Sequence, residues 1–210
     1  MQLSTQRQTK QWILAISYFI TLIFLGCSLK THVKRTDVDK QIDLSGKWND
    51  TDSQMVSEEM IKDCLDRPWI LDYSSNNLGK KPIVIVGGVK NRSDEHINTQ
   101  TFTKDLERNL LNSGRVKFIS AKDERGELRE EKTEQNAGHT STETVKSLTE
   151  EIGADFMLQG TINTIKDEIS GEYVMFYQIN LELTNLENHE KVWIGEKKIK
   201  KVVKRSRFGF

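Results

Sequence analysis

Between Tyr173 and Leu183 every second residue is apolar: Tyr173, Met175, Tyr177, Ile179, Leu181 and Leu183. A strand puts all six on one side, because successive strand side chains point to opposite faces. Such a strand needs paired neighbours, and helices to cover its apolar face. Two further strands are expected beside it, about Asp155 to Ile165 and Lys191 to Val202. Turns near Ser170-Gly171 and Asn185 to His189 would join the three into a meander.

The helices stand upstream. From Thr51 to Leu65 the residues Val56, Met60 and Cys64 recur every fourth place, with Ile61 and Leu65 alongside. That spacing predicts an amphipathic helix, which Asp50, Thr51, Asp52 or Ser53 can cap. Arg67-Pro68-Trp69 ends it, and a polar loop follows. Pro82 to Val86 is a continuous apolar run, read as a strand buried on both faces. A second helix starts at Thr99, presents Phe102, Leu106 and Leu110, and stops at Gly114. Val116 to Ser120 is another strand. Ala121 to Gly138 is charged nearly throughout and reads as a solvated helix or mobile segment. Thr140 to Ile152 is a third apolar-faced helix. The order predicts an α/β fold: a single domain whose mixed sheet of about five strands is flanked by helices. The first two strands are expected to be parallel.

The first thirty residues have a separate purpose. Arg7 and Lys10 precede the apolar run Trp12–Leu25, which is shorter than the roughly 20 residues a straight spanning helix needs. Gly26-Cys27-Ser28 follows, and the chain turns polar. A basic head, a short apolar middle and a small residue before cysteine make residues 1–26 a lipoprotein signal peptide. Cys27 is then the lipidated residue. Phe24 and Leu25 are bulkier than the usual residues before such a cysteine, and an uncleaved N-terminal anchor is the alternative. Either way the remaining chain lies outside the cytoplasm. Ser28, rather than Asp, favours the outer membrane over retention at the inner one. Residues 27–44 read as a flexible tether, 45–203 as the domain, and 204–210 as a basic C-terminal tail.

Charge and motif content narrow the function. Lys and Arg number 31 against 31 acids, so no global field points to nucleic acid. With Cys27 acylated, Cys64 has no cysteine to pair with, and its place in a helical apolar pattern makes it a small core residue. His32, His96, His139 and His189 have no metal-ligand spacing, and no G-x-S-x-G is present. No enzyme activity and no cofactor is expected. Gly87-Gly88 lacks the other residues of a phosphate loop and is better explained by a bend. The loop Asn91, Arg92, Ser93, Asp94, Glu95 and His96, beside a strand end, is the candidate partner-binding surface. Lys197, Lys198, Lys200, Lys201, Lys204, Arg205 and Arg207 make the C-terminus basic. They suit an anionic surface, or they guard an exposed edge strand.

Three stretches carry a more specific signal: KPIVIVGGVKNRSDEHINTQTFTKDLERNLLNSGRVKFISAKDERGELREE, GADFMLQGTINTIKDE and YQINLELTNLENHEKVWIGEKKIKKV. Together with the lipoprotein start, they resemble the LpoB family of penicillin-binding protein activators over about Pro68 to Val203. The resemblance implies a domain similar to the N-terminal domain of TolB. It also implies a non-catalytic outer-membrane lipoprotein facing the periplasm, whose partner is a class A bifunctional penicillin-binding protein that it activates in peptidoglycan synthesis. The family's long Pro-rich tether is replaced here by a short one without proline. A structural or secretion-associated outer-membrane lipoprotein with a related α/β domain is the other reading.

Overall fold

The computed structural model describes residues 12, 33–37, 40–120, 124–139 and 152–204. Residues 1–40 form a unit of their own; the domain described below lies within residues 41–210. The expected helix Thr140–Ile152, except Ile152, and the residues around Cys27 lie outside the described residues.

Helix α1 spans Asp50–Leu65 and buries Val56, Met60, Ile61, Cys64 and Leu65, as its period of four requires. Its cap is Asn49, one residue before the expected candidates. The Asn49 side chain accepts from the Asp52 N–H while Asp52 accepts from the Asn49 N–H, a reciprocal capping box. A short helix α2, Trp69–Asn76, then occupies ground expected to be loop. Pro68 starts this helix as well as ending the previous one, because its fixed φ suits a first helical turn. Trp69 and Ile70 face the core, and the Trp69 indole donates to the Cys64 carbonyl at 2.8 Å.

Strand β1, Ile83–Arg92, is longer than the apolar run that announced it, and Val84, Ile85 and Val86 are all buried. Helix α3, Thr99–Asn112, buries Phe102, Leu106 and Leu110 and is capped by Asn98 rather than Thr99. Strand β2 is only Lys117–Phe118. Helix α4, Arg125–Glu134, buries no residue and runs into a π-helical turn at Gln135–His139, in keeping with its charge.

Strands β3 (Phe156–Ile169), β4 (Glu172–Asn185) and β5 (Lys191–Lys204) are the expected meander, each slightly longer than its pattern. The sheet order is β2-β1-β3-β4-β5. β1 is parallel to both β2 and β3, while β3, β4 and β5 are antiparallel. The result is one α/β domain with a five-stranded mixed sheet. Met175, Tyr177, Ile179, Leu181 and Leu183 lie in one core with α1, α2 and α3. On the opposite face of β4 the residues are partly open.

Gly87-Gly88 is a bend. Between Val86 and Val89 the register with β3 shifts by one residue, a bulge that inserts the glycine pair opposite the Leu158–Gly160 step. At Gly160 a Cβ would come within 2.2 Å of the Asn180 carbonyl oxygen, so β3 can carry no side chain there as it passes β4.

Candidate functional site

Of the expected loop 91–96, Asn91 and Arg92 are the last residues of β1, paired with Ile162 and Asn163 of β3, and the turn that follows is held by its own side chains. Asn91 Oδ1 accepts from the Ser93 N–H at 2.9 Å and from its hydroxyl at 2.6 Å, and Asn91 Nδ2 donates to the Glu95 carbonyl at 2.7 Å. Short polar side chains that bond the backbone two residues on are the usual means of setting such a turn. Asn91 and Ser93 therefore shape the loop, and Arg92, Asp94 and His96 are left exposed.

Glu95 turns inward. Its carboxylate accepts the Tyr177 hydroxyl at 2.9 Å and the Trp48 backbone N–H at 3.2 Å. Tyr177 is wholly buried; burial first, and then the Glu95 carboxylate, hold its phenol far above the ordinary range. It serves as a hydrogen-bond donor, not as an acid. The Trp48 indole stands edge-on to Tyr177 and to Phe102, with centroids 5.6 Å and 5.9 Å away, and donates to Ser53 Oγ at 2.9 Å. One network thus joins the segment before α1, the loop after β1, the start of α3 and the middle of β4.

A second polar cluster sits at the end of β5. Lys201 Nζ lies 2.7 Å from Asp52 Oδ2 and 2.8 Å from Asp43 Oδ1, and donates to the Lys47 carbonyl at 3.2 Å. Asp52 is buried, and desolvation raises its pKa, with the Lys201 and Asn49 hydrogen bonds acting in the other direction. Lys201 is raised as well: desolvation lowers it, but its two carboxylate partners outweigh that. Asp43, more open, is lowered chiefly by Lys201. No periodicity announces this cluster, because its members lie 149 and 158 residues apart in the chain.

Other reactive groups have structural partners. Asp155 accepts the Tyr73 hydroxyl and the Ile83 N–H, both at 2.7 Å, tying α2 and β1 to the start of β3. Cys64 is fully buried, and desolvation pushes its thiol up to about 12, far from a nucleophilic thiolate. Of the C-terminal lysines, Lys197 pairs with Glu59, Lys198 with Glu196 and Lys201 with the two aspartates, on a strand that forms the edge of the sheet. Arg205 and Arg207 lie outside the described residues. Among the described residues no three His, Cys, Asp or Glu side chains gather as a metal-holding group. No helix among them is long and apolar enough to cross a membrane.

The family model described as "Peptidoglycan-synthase activator LpoB" matches residues 52–199. The chain belongs to the LpoB family. That match runs from α1 almost to the end of β5; it includes Ser53, Glu95, Phe102 and Tyr177 of the first network and, of the second cluster, Asp52. The LpoB C-terminal domain from Salmonella enterica is 14% identical, with a TM-score of 0.43, covering 71% of this chain and 99% of that one. The LpoB C-terminal domain from Escherichia coli is 16% identical, with a TM-score of 0.36, covering 63% and 96%. Lipoprotein GNA1162 from Neisseria meningitidis is 18% identical, with a TM-score of 0.34, covering 59% and 84%. No curated protein matches the chain. LpoB membership makes this a domain of the peptidoglycan-synthase activators, a family of regulators rather than catalysts.

Proposed function

We propose that this protein is a lipid-anchored regulator that binds and activates a class A bifunctional penicillin-binding protein. The family match over residues 52–199 carries this reading. The loop 91–96 is braced from within by Glu95, while Arg92, Asp94 and His96 face solvent. We assign that exposed side to the synthase contact. Activation requires that the domain bind the synthase's active state more tightly than its inactive one. The lipidated full chain, added to a purified class A synthase with lipid-linked precursor, should bind it and raise glycan polymerisation severalfold. Absence of both effects would refute the assignment.

The anchor is placed at Cys27, with the domain facing the periplasm from the outer membrane. Roughly sixteen residues separate Cys27 from Asp43, the start of the hydrogen-bonded domain; fully extended they span at most about 55 Å. The synthase must therefore come close to the anchoring membrane. The wild-type protein should take up a fatty-acid probe and have lost residues 1–26 by mass, and Cys27→Ala should abolish the label. A wild-type chain that stays unlabelled and keeps Trp12–Leu25 would instead identify that run as an uncleaved anchor.

A further inference from the structure

The face of the sheet turned away from α1, α2 and α3 is polar at its centre. Two rows of residues cross four strands in direct register. One is Lys90 (β1), Thr161 (β3), Asn180 (β4) and Glu196 (β5); the next is Arg92, Asn163, Gln178 and Lys198. A weak mesh of hydrogen bonds links them: Asn163 Nδ2 to Thr161 Oγ1 at 3.2 Å, and Gln178 Nε2 to Asn180 Oδ1 at 3.4 Å. At one end of the rows is a depression of about 170 Å³, with Lys90 and Arg92 in its lining and the side-chain-free backbone of Gly88 and Gly160 exposed in it.

The lining decides the kind of ligand. Protein–protein interfaces place aromatic and apolar side chains at their centre. Here the centre is made of amides and a hydroxyl, which can both donate and accept and so match a ligand rich in hydroxyl and N-acyl groups. The charge is also lopsided. Glu182 is held by Lys191 and Glu196 by Lys198, while Lys90 and Arg92 pair with no carboxylate among the described residues. The face thus carries uncompensated positive charge at the β1 end, suited to a carboxylate. Three strand spacings of about 4.8 Å make each row roughly 14 Å long, enough for a short run of linked sugar rings. At that end Gly88 adds no side chain, and nothing stands within 4 Å of where its Cβ would be, so the depression stays open there.

We infer that this open sheet face binds an extended glycan of N-acylated sugars bearing carboxylates. Amides along the rows read its hydroxyl and acyl groups, and Lys90 and Arg92 hold a carboxylate at the β1 end. The site borders the synthase contact assigned above, sharing Arg92 with it, and does not rest on it.

The test is co-sedimentation of the full chain in detergent with isolated peptidoglycan sacculi, and titration with glycan strands freed of their peptides. The wild type should sediment at low salt and be released as salt rises. Lys90→Gln/Arg92→Gln and Asn163→Ala/Gln178→Ala should each weaken retention at least fivefold with unchanged melting temperatures. Lys80→Gln/Lys117→Gln, which removes as much charge elsewhere, should bind like wild type. Failure of the wild type to sediment would overturn the proposal, as would equal losses in the two charge-removing variants with none in the amide variant, which would mean mere net-charge attraction. Synthase binding is measured in parallel on the same proteins. Variants that keep sacculus binding but lose the synthase would make the face a protein contact and overturn the glycan reading. Loss of sacculus binding alone leaves the activator reading intact.

Discussion

Lys201→Met should destabilise the domain by about 3 kcal/mol at pH 7, the scale expected when one partner of a buried ion pair is removed. The variant leaves Asp52, 4% exposed, with only the Asn49 N–H on its carboxylate. The pH dependence identifies the cause. Desolvation already raises the folded pKa of Asp52, and loss of the cation raises it further. An acid whose folded pKa exceeds its unfolded value destabilises the fold when ionised, and that penalty fades as pH falls through the folded pKa. The gap between variant and wild type should therefore narrow as pH is lowered from 7 towards 4. In the wild type, Lys201 has a raised folded pKa, so its contribution is complete below the unfolded value of 10.5 and is lost as pH rises through the folded one. Adding Asp52→Asn to Lys201→Met should recover most of the loss. Urea denaturation at pH 7 and pH 4 measures all of this. A deficit that did not change with pH, or that Asp52→Asn failed to relieve, would mean that Asp52 is not the group left stranded.

Phe102→Ala should cost about 3–5 kcal/mol, as expected for deleting a buried aromatic ring. Phe102 is fully enclosed on α3 and meets Trp48 edge-on. Its loss opens a cavity in the layer beneath the loop 91–96. Trp48 would lose one of its two aromatic neighbours, and its backbone N–H is one of the donors that hold Glu95. Amide hydrogen exchange across 91–96 should accelerate more than exchange in β5, beyond what global destabilisation explains. Phe102→Leu should cost less and leave the loop protected. Uniform acceleration in Phe102→Ala would separate the loop from the aromatic layer.

The sheet was legible because its evidence is local. The alternation from Tyr173 to Leu183 and the run Pro82–Val86 each declare a period that one strand satisfies on its own. The family resemblance read from Pro68 to Val203 agrees with the matched residues 52–199. Helix α2 was not legible, because Pro68 reads equally as the end of one helix and the beginning of the next. That β3 pairs with β1 was also hidden, since the partner of a parallel strand is set by packing rather than by spacing. The loop 91–96 was found as a polar stretch beside a strand. Its division into an inward Glu95 and outward Arg92, Asp94 and His96 depends on Tyr177, 82 residues away. The cross-strand rows were invisible for the same reason: each of their residues looks like ordinary strand polarity until register aligns four of them.

The Lys201 cluster has a mechanical consequence. Under anchoring at Cys27, any tension between the membrane and a docked synthase enters the domain at Asp43. There the Lys201 ammonium and the Asn49 amide hold the chain. Just beyond, the Tyr173 hydroxyl holds the Ser45 carbonyl at 2.5 Å, and the Tyr177 hydroxyl lies 3.2 Å from that of Gly46. These fastenings come one after another along the chain, so a pull would open them in sequence like a zip. Residues 43–48 would yield first, and the Trp48 N–H that braces Glu95 lies at the end of that stretch. The fastenings of residues 43–48 and the brace of the loop 91–96 thus share one short segment, so loosening the first also loosens the second while the sheet's own pairing is untouched.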